Sequence, residues 1–177
     1  MFKRVVLRLL SAVLVAGFVA GALADEDNGG VLATLIGSAP GQMVGGVASG
    51  GAPWTVSRAH VTLTGSGHLN LQVRGLILPS MGNAGPVSQV SASLVCGGSG
   101  GMVVATTGAV PLSTSGDAHI HEKLPLPTSC LAPVILVRAA VVNGATPAQP
   151  PFIAISGFTS SSASKGEGSD DQDSGHD

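Results

Sequence analysis

His119 and His121 are the residues whose type and spacing bear most directly on chemistry. At strand period, residues i and i+2 point the same way about 6.5–7 Å apart, so two imidazoles can converge on one transition metal. A catalytic zinc or copper site asks for more: about three protein ligands, an open position and groups that orient each imidazole. Lys123 shares the strand face of the pair and opposes a cation there, and Asp117 is the only nearby anionic ligand. His60 and His68 lie upstream and would join only in a favourable sheet arrangement. We therefore expect solvated histidines and no metalloenzyme, and keep His119 and His121 as the candidate metal ligands. No catalytic residue, cofactor-binding residue or cofactor is assigned.

The run His119-Ile120-His121-Glu122 resembles the copper-binding segment of copper/zinc superoxide dismutases, which also use a β-sandwich and a disulfide. The resemblance implies copper ligation and redox chemistry, which in that family needs several further histidines and an aspartate downstream. Here only His176 follows. A second string, Gly97-Gly98-Ser99-Gly100-Gly101, matches the G-x-S-x-G nucleophile elbow. The elbow places its serine between a strand and a helix, whereas residues 102–107 are rich in Val and Thr and read as a second strand. A Gly-rich loop is the expectation.

Cys96 and Cys130 are the only cysteines. With no CxxC motif and no metal-ligand set, a single structural disulfide is expected, as befits an oxidising compartment. Trp54, the sole tryptophan, is expected to anchor the core. Arg138 interrupts an apolar run and needs a partner or an edge position; Glu122 and Asp117 are the candidates.

The chain's ends explain why such a compartment is expected. Lys3, Arg4 and Arg8 precede an apolar run at 9–23, and Ala22-Leu23-Ala24 offers a small-x-small cleavage site. Residues 1–24 thus read as a secretory signal peptide, with the exported chain starting at Asp25. The uncharged stretch falls short of the roughly 20 residues that span a bilayer, so no membrane span is expected after cleavage. The remaining chain carries five basic residues against ten acidic ones. It has no Lys/Arg cluster for phosphates, and nucleic-acid binding is excluded as the default. Residues 160–177, rich in Ser, Gly and Asp, are expected to be a disordered acidic tail. Their spacing lacks the glycine and distal glutamate of an EF-hand loop.

The elements between these ends read as strands. The chain holds 26 glycines and 11 prolines in 177 residues, and its 44% hydrophobic content argues against full disorder. Residues 68–74 alternate polar and apolar without error, as in a half-buried antiparallel strand. Residues 56–64 alternate less cleanly, with Arg58, His60 and Thr62 on one face. A three-residue loop, Gly65-Ser66-Gly67, makes the polar faces of these two strands coincide, whereas a two-residue loop puts His60 beside Val73 and inverts one face, so the three-residue loop is expected. Val90, Ala92, Leu94 and Cys96 share one face, with Gln89, Ser91 and Ser93 opposite. Short runs at 102–107 and 109–112, the alternating 117–124, the apolar 134–142 and the run 152–158 complete the set. The fold class is all-β: a single antiparallel β-sandwich, immunoglobulin-like or related, of about seven or eight strands with disordered termini. The domain is placed at 54–159. Residues 25–53 are a Gly-rich N-terminal segment, a linker apart from a possible edge strand at 31–36.

The segments Pro53-Trp54-Thr55-Val56, Gly75-Leu76-Ile77-Leu78-Pro79, residues 90–96, Gly116-Asp117-Ala118 and Leu126-Pro127 followed by Cys130 together resemble a group of uncharacterised exported bacterial proteins. That resemblance implies secretion, one β domain and the Cys96–Cys130 pairing, and brings no active site with it. The expected function is a secreted or surface-associated, non-enzymatic β-sandwich, structural or interaction-mediating, with a protein or cell-surface partner. An exported metal-binding protein using His119 and His121 is the alternative.

Overall fold

The computed structural model describes residues 30–157. The expected signal peptide, its cleavage site and the acidic tail lie outside the described residues. Twelve strands follow one another: β1 (Gly30–Ala33), β2 (Leu35–Gly37), β3 (Met43–Val44), β4 (Val47–Ala48), β5 (Arg58–Thr64), β6 (His68–Arg74), β7 (Val87–Cys96), β8 (Met102–Thr106), β9 (Val110–Pro111), β10 (Ala118–Lys123), β11 (Val134–Val142) and β12 (Phe152–Ser156). Among the described residues no helix is long and apolar enough to cross a membrane.

The strands form two main antiparallel sheets that pack together. One has the order β1-β5-β6-β10; the other has the order β2-β12-β11-β7-β8, with β9 also pairing β7. Alternation in β5, β6 and β10 turns Val61, Leu63, Leu69, Leu71, Val73 and Ile120 inward. There they share one core with Val90, Ala92, Leu94, Ile135, Val137 and Ile153 of the second sheet. The three-residue loop between β5 and β6 forms as expected: Leu63 faces Leu69 across the hairpin. Gly67 closes it at φ +92°, and its N–H donates to the Thr64 carbonyl at 3.0 Å. β11, the apolar run, lies between β7 and β12 in the middle of the larger sheet. Asn143 and Gly144 leave it with φ of 51° and 76°, the mirror-image turn that matches strand twist.

One expectation needs correction. Of the segment placed at 25–53, the described residues 30–53 are not a linker with one edge strand, and the domain does not begin at 54. The run 31–36 is split between β1, which edges the smaller sheet on β5, and β2, which edges the larger one on β12. Thr34, at the split, is where the chain changes sheets. Met43-Val44-Gly45-Gly46-Val47-Ala48 is a hairpin whose Gly-Gly turn has φ of +58° and +75°. That pair between apolar residues is a recognised hairpin signal, masked here by the glycine-rich composition around it. The face of β7 that carries Ser91 and Ser93 is buried, because the β3–β4 hairpin helps cover that side of the sheet. Val44, Val47, Val95, Leu136 and Phe152 form a second buried cluster there. Ser93 is fully buried, and its hydroxyl is satisfied by that of Thr106 at 2.8 Å.

Thr107 shows how the larger sheet manages a broken ladder. Beyond the end of β8, the Ala92 N–H donates to the Thr107 hydroxyl at 2.9 Å, and that hydroxyl donates to the Gly108 carbonyl. Replacement by the near-isosteric valine, Thr107→Val, leaves the buried Ala92 N–H without its acceptor. The expected loss is about 1–3 kcal/mol in urea unfolding, and an unchanged midpoint would show that Ala92 finds another acceptor.

Candidate functional site

The sequence-predicted histidines meet on the outer face of the four-stranded sheet. Cross-strand register sets the pattern: His60 faces Gln72, which faces His119; Thr62 faces Asn70, which faces His121. At one end Arg58 lies directly opposite Arg74. At the other, His68 lies opposite Lys123. Odd–even alternation turns all of these side chains away from the core, and Arg58, His60, His68, Asn70, Gln72, Arg74, His119, His121 and Lys123 are all exposed. His60 and His68 therefore belong to the same surface as His119 and His121 because β6 is the shared neighbour of β5 and β10.

The face is cationic with little to offset it. Of the four described Lys and Arg residues, Arg58, Arg74 and Lys123 stand on it. Asp117, at its rim, is tied down: its carboxylate accepts from the Gly75 N–H at 3.1 Å and from the Ser115 hydroxyl at 3.0 Å. Glu122, of opposite parity to the histidines, turns away, and its carboxylate accepts from the Gly108 N–H at 3.0 Å. Both carboxylates thus pin loops to strands.

As a metal site the face is incomplete. The rings of His119 and His121 are 6.4 Å apart, centroid to centroid, and inclined at 58°. His119 Nε2 is 3.0 Å from the Asn70 side-chain oxygen, an orienting hydrogen bond with the imidazole as donor. One strand, β6, lies between His60 and His119, which puts them two interstrand spacings apart, about 10 Å. Among the described residues no group of three or more His, Cys, Asp or Glu side chains is gathered to hold a metal ion. His176 lies outside the described residues.

The remaining candidates are structural. Residues 97–101 form the turn of the β7–β8 hairpin, with a strand after it rather than a helix. That turn is held by three hydrogen bonds: Gly45 N–H to the Ser99 carbonyl, Gly97 N–H to Leu131 and Gly98 N–H to Ala132. Cys96 and Cys130 are disulfide-bonded with Cα atoms 5.1 Å apart, as expected. Trp54 is buried in the main core. Arg138 does not pair with Glu122 or Asp117. It lies on the larger sheet, its Nε donates to the Pro150 carbonyl at 2.8 Å, and burial lowers its pKa from the ordinary arginine value.

A cavity of about 330 Å³ opens beside the disulfide, lined by Val31, Leu63, Leu126, Pro127, Cys130 and Pro133 among others. Another, of about 410 Å³, runs along the rim of the cationic face between Gln72, Arg74, Pro111, Asp117 and His119. Sequence alternation marked the histidines, Arg58 and Lys123; it gave no reason to single out Asn70, Gln72 or Arg74, whose role comes from standing between or opposite them. The chain matches no protein-family model, no curated protein and no solved structure, so the chemistry of this face is the ground on which a function rests.

Proposed function

We propose that this is an exported, non-enzymatic β-sandwich that binds a partner through the outer face of its four-stranded sheet. One observation carries the reading: Arg58, Arg74 and Lys123 converge with four histidines on one exposed face, with Asp117 only at its rim. Cations that share a field bring a partner of opposite sign to the surface. The disulfide accords with an oxidising compartment, as do the leader-like residues 1–24, and as does the resemblance to exported bacterial proteins. The test is retention of partners from the host's own culture medium and cell surface on immobilised protein. Wild type should retain material that an Arg58→Ser/Arg74→Ser/Lys123→Ser variant does not. Equal retention by both would remove the face from the function, and no retention by either would remove the binding reading.

The 6.4 Å approach of two imidazoles favours a metal-binding alternative enough to deserve its own experiment. Calorimetry should show no stoichiometric zinc or copper binding tighter than about micromolar, since two histidines beside a lysine make a weak site. Tight binding lost in His119→Ala/His121→Ala would replace the interaction reading with the metal one. Both side chains are exposed, so that double variant should unfold within about 0.5 kcal/mol of wild type per site.

A further inference from the structure

We propose that the partner of this face is an acidic polysaccharide, a linear chain bearing carboxylates among hydroxyls; this rests on the interaction reading above. The distribution of groups points to that chemistry. Arg58 and Arg74 oppose each other at one end of the β5–β6 pair, and His68 and Lys123 oppose each other at the far end of β6 and β10. Six residue steps along β6, from His68 to Arg74, separate the two ends, about 20 Å at strand rise. Between them the face offers Thr62, Asn70 and Gln72 together with His60, His119 and His121, hydrogen-bonding groups that suit hydroxyls as well as carboxylates. Two cationic ends joined by a polar strip match a polymer with repeated charges better than a single small anion.

A bilayer fits less well. Among the exposed large apolar residues only Leu32, on the β1 edge opposite Thr62, belongs to this face, and a membrane-surface binder buries an apolar band beneath its basic residues.

The charged groups of this face are Arg58 on β5, Arg74 on β6 and Lys123 on β10, with Asp117 at the rim. β1, being Gly-Val-Leu-Ala, contributes no charge. Salt weakens the attraction between these groups and a carboxylate polymer because they are exposed and screened.

Titration of the purified protein with polygalacturonate, with dextran as neutral control and phosphatidylglycerol/phosphatidylcholine vesicles as the anionic-membrane control, tests this. Binding to polygalacturonate should weaken about tenfold when salt rises from about 0.05 M to about 0.5 M. The Arg58→Ser/Arg74→Ser/Lys123→Ser variant should lose about tenfold or more at the lower salt. Thermal unfolding of the variant checks that the fold is kept, as substitutions on an exposed face allow. No binding, equal binding of dextran, preference for the vesicles, or a titration that neither salt nor these substitutions changes would overturn the proposal. If culture material is still lost from the triple variant while polygalacturonate fails to bind wild type, the polysaccharide is wrong and the interaction reading stands. If neither binds, both fall.

Discussion

Phe152→Ala is expected to destabilise the fold by about 3–5 kcal/mol, the range for deleting a buried aromatic ring and leaving a cavity. Phe152 is fully buried in the cluster with Val44, Val47, Val95 and Leu136. Its backbone carbonyl also accepts from the Gly50 N–H at 2.9 Å and from the Ser38 hydroxyl at 3.3 Å. The ring thus fills the space between the β3–β4 hairpin and the larger sheet, where no long side chain on the short hairpin can replace it. Urea unfolding measures the loss, and limited proteolysis should cut first within 43–48 in the variant. A loss under about 1 kcal/mol would mean that the hairpin is not packed against the sheet.

The second large effect concerns the disulfide. Replacing both partners, Cys96→Ser/Cys130→Ser, frees a loop of 34 residues' separation. The loop-entropy relation gives a loss of roughly 4 kcal/mol, which corresponds to a fall in midpoint on the order of 10–20 °C for a domain of this size. The position of the bond makes the effect plausible in structural terms. Cys96 ends β7, and Cys130 lies in the connection that leads into β11, the strand β7 pairs with. The Leu131 and Ala132 carbonyls accept from Gly97 and Gly98 beside it, so the bond and two hydrogen bonds hold one corner together. Differential scanning calorimetry of the double variant measures the fall. A shift under about 3 °C would show that those hydrogen bonds hold the corner without the covalent link.

The strands that sequence alone made legible are those with one wet and one dry face. β5, β6 and β10 alternate cleanly because water on one side and core on the other select residues at a period of two. The same alternation excluded a two-residue β5–β6 loop, which turns one polar face inward, in favour of a three-residue one. β11 declared itself by being apolar throughout, as a strand between two neighbours and beneath a covering layer must be. The single cysteine pair left only one intramolecular bridge to form. What alternation does not carry is what lies beyond a face. The alternation of β7 does not show that a hairpin from residues 43–48 covers the side of Ser91 and Ser93. That hairpin has only two residues per strand, too few for a period to be seen. Arg138 likewise found a carbonyl rather than a carboxylate, because the bend before β12 brings Pro150 to it.

The sequence by itself determined that the chain is all-β, that its polar residues alternate with its core, and that His119 and His121 share a side. Only the tertiary structure decided which distant strands became neighbours. Placing β6 between β5 and β10 brought His60, His68, Arg58 and Arg74 onto the surface that the histidine pair shares with Lys123. Strand order is set by how whole sheets bury their apolar faces against each other, a balance that no single stretch of sequence contains.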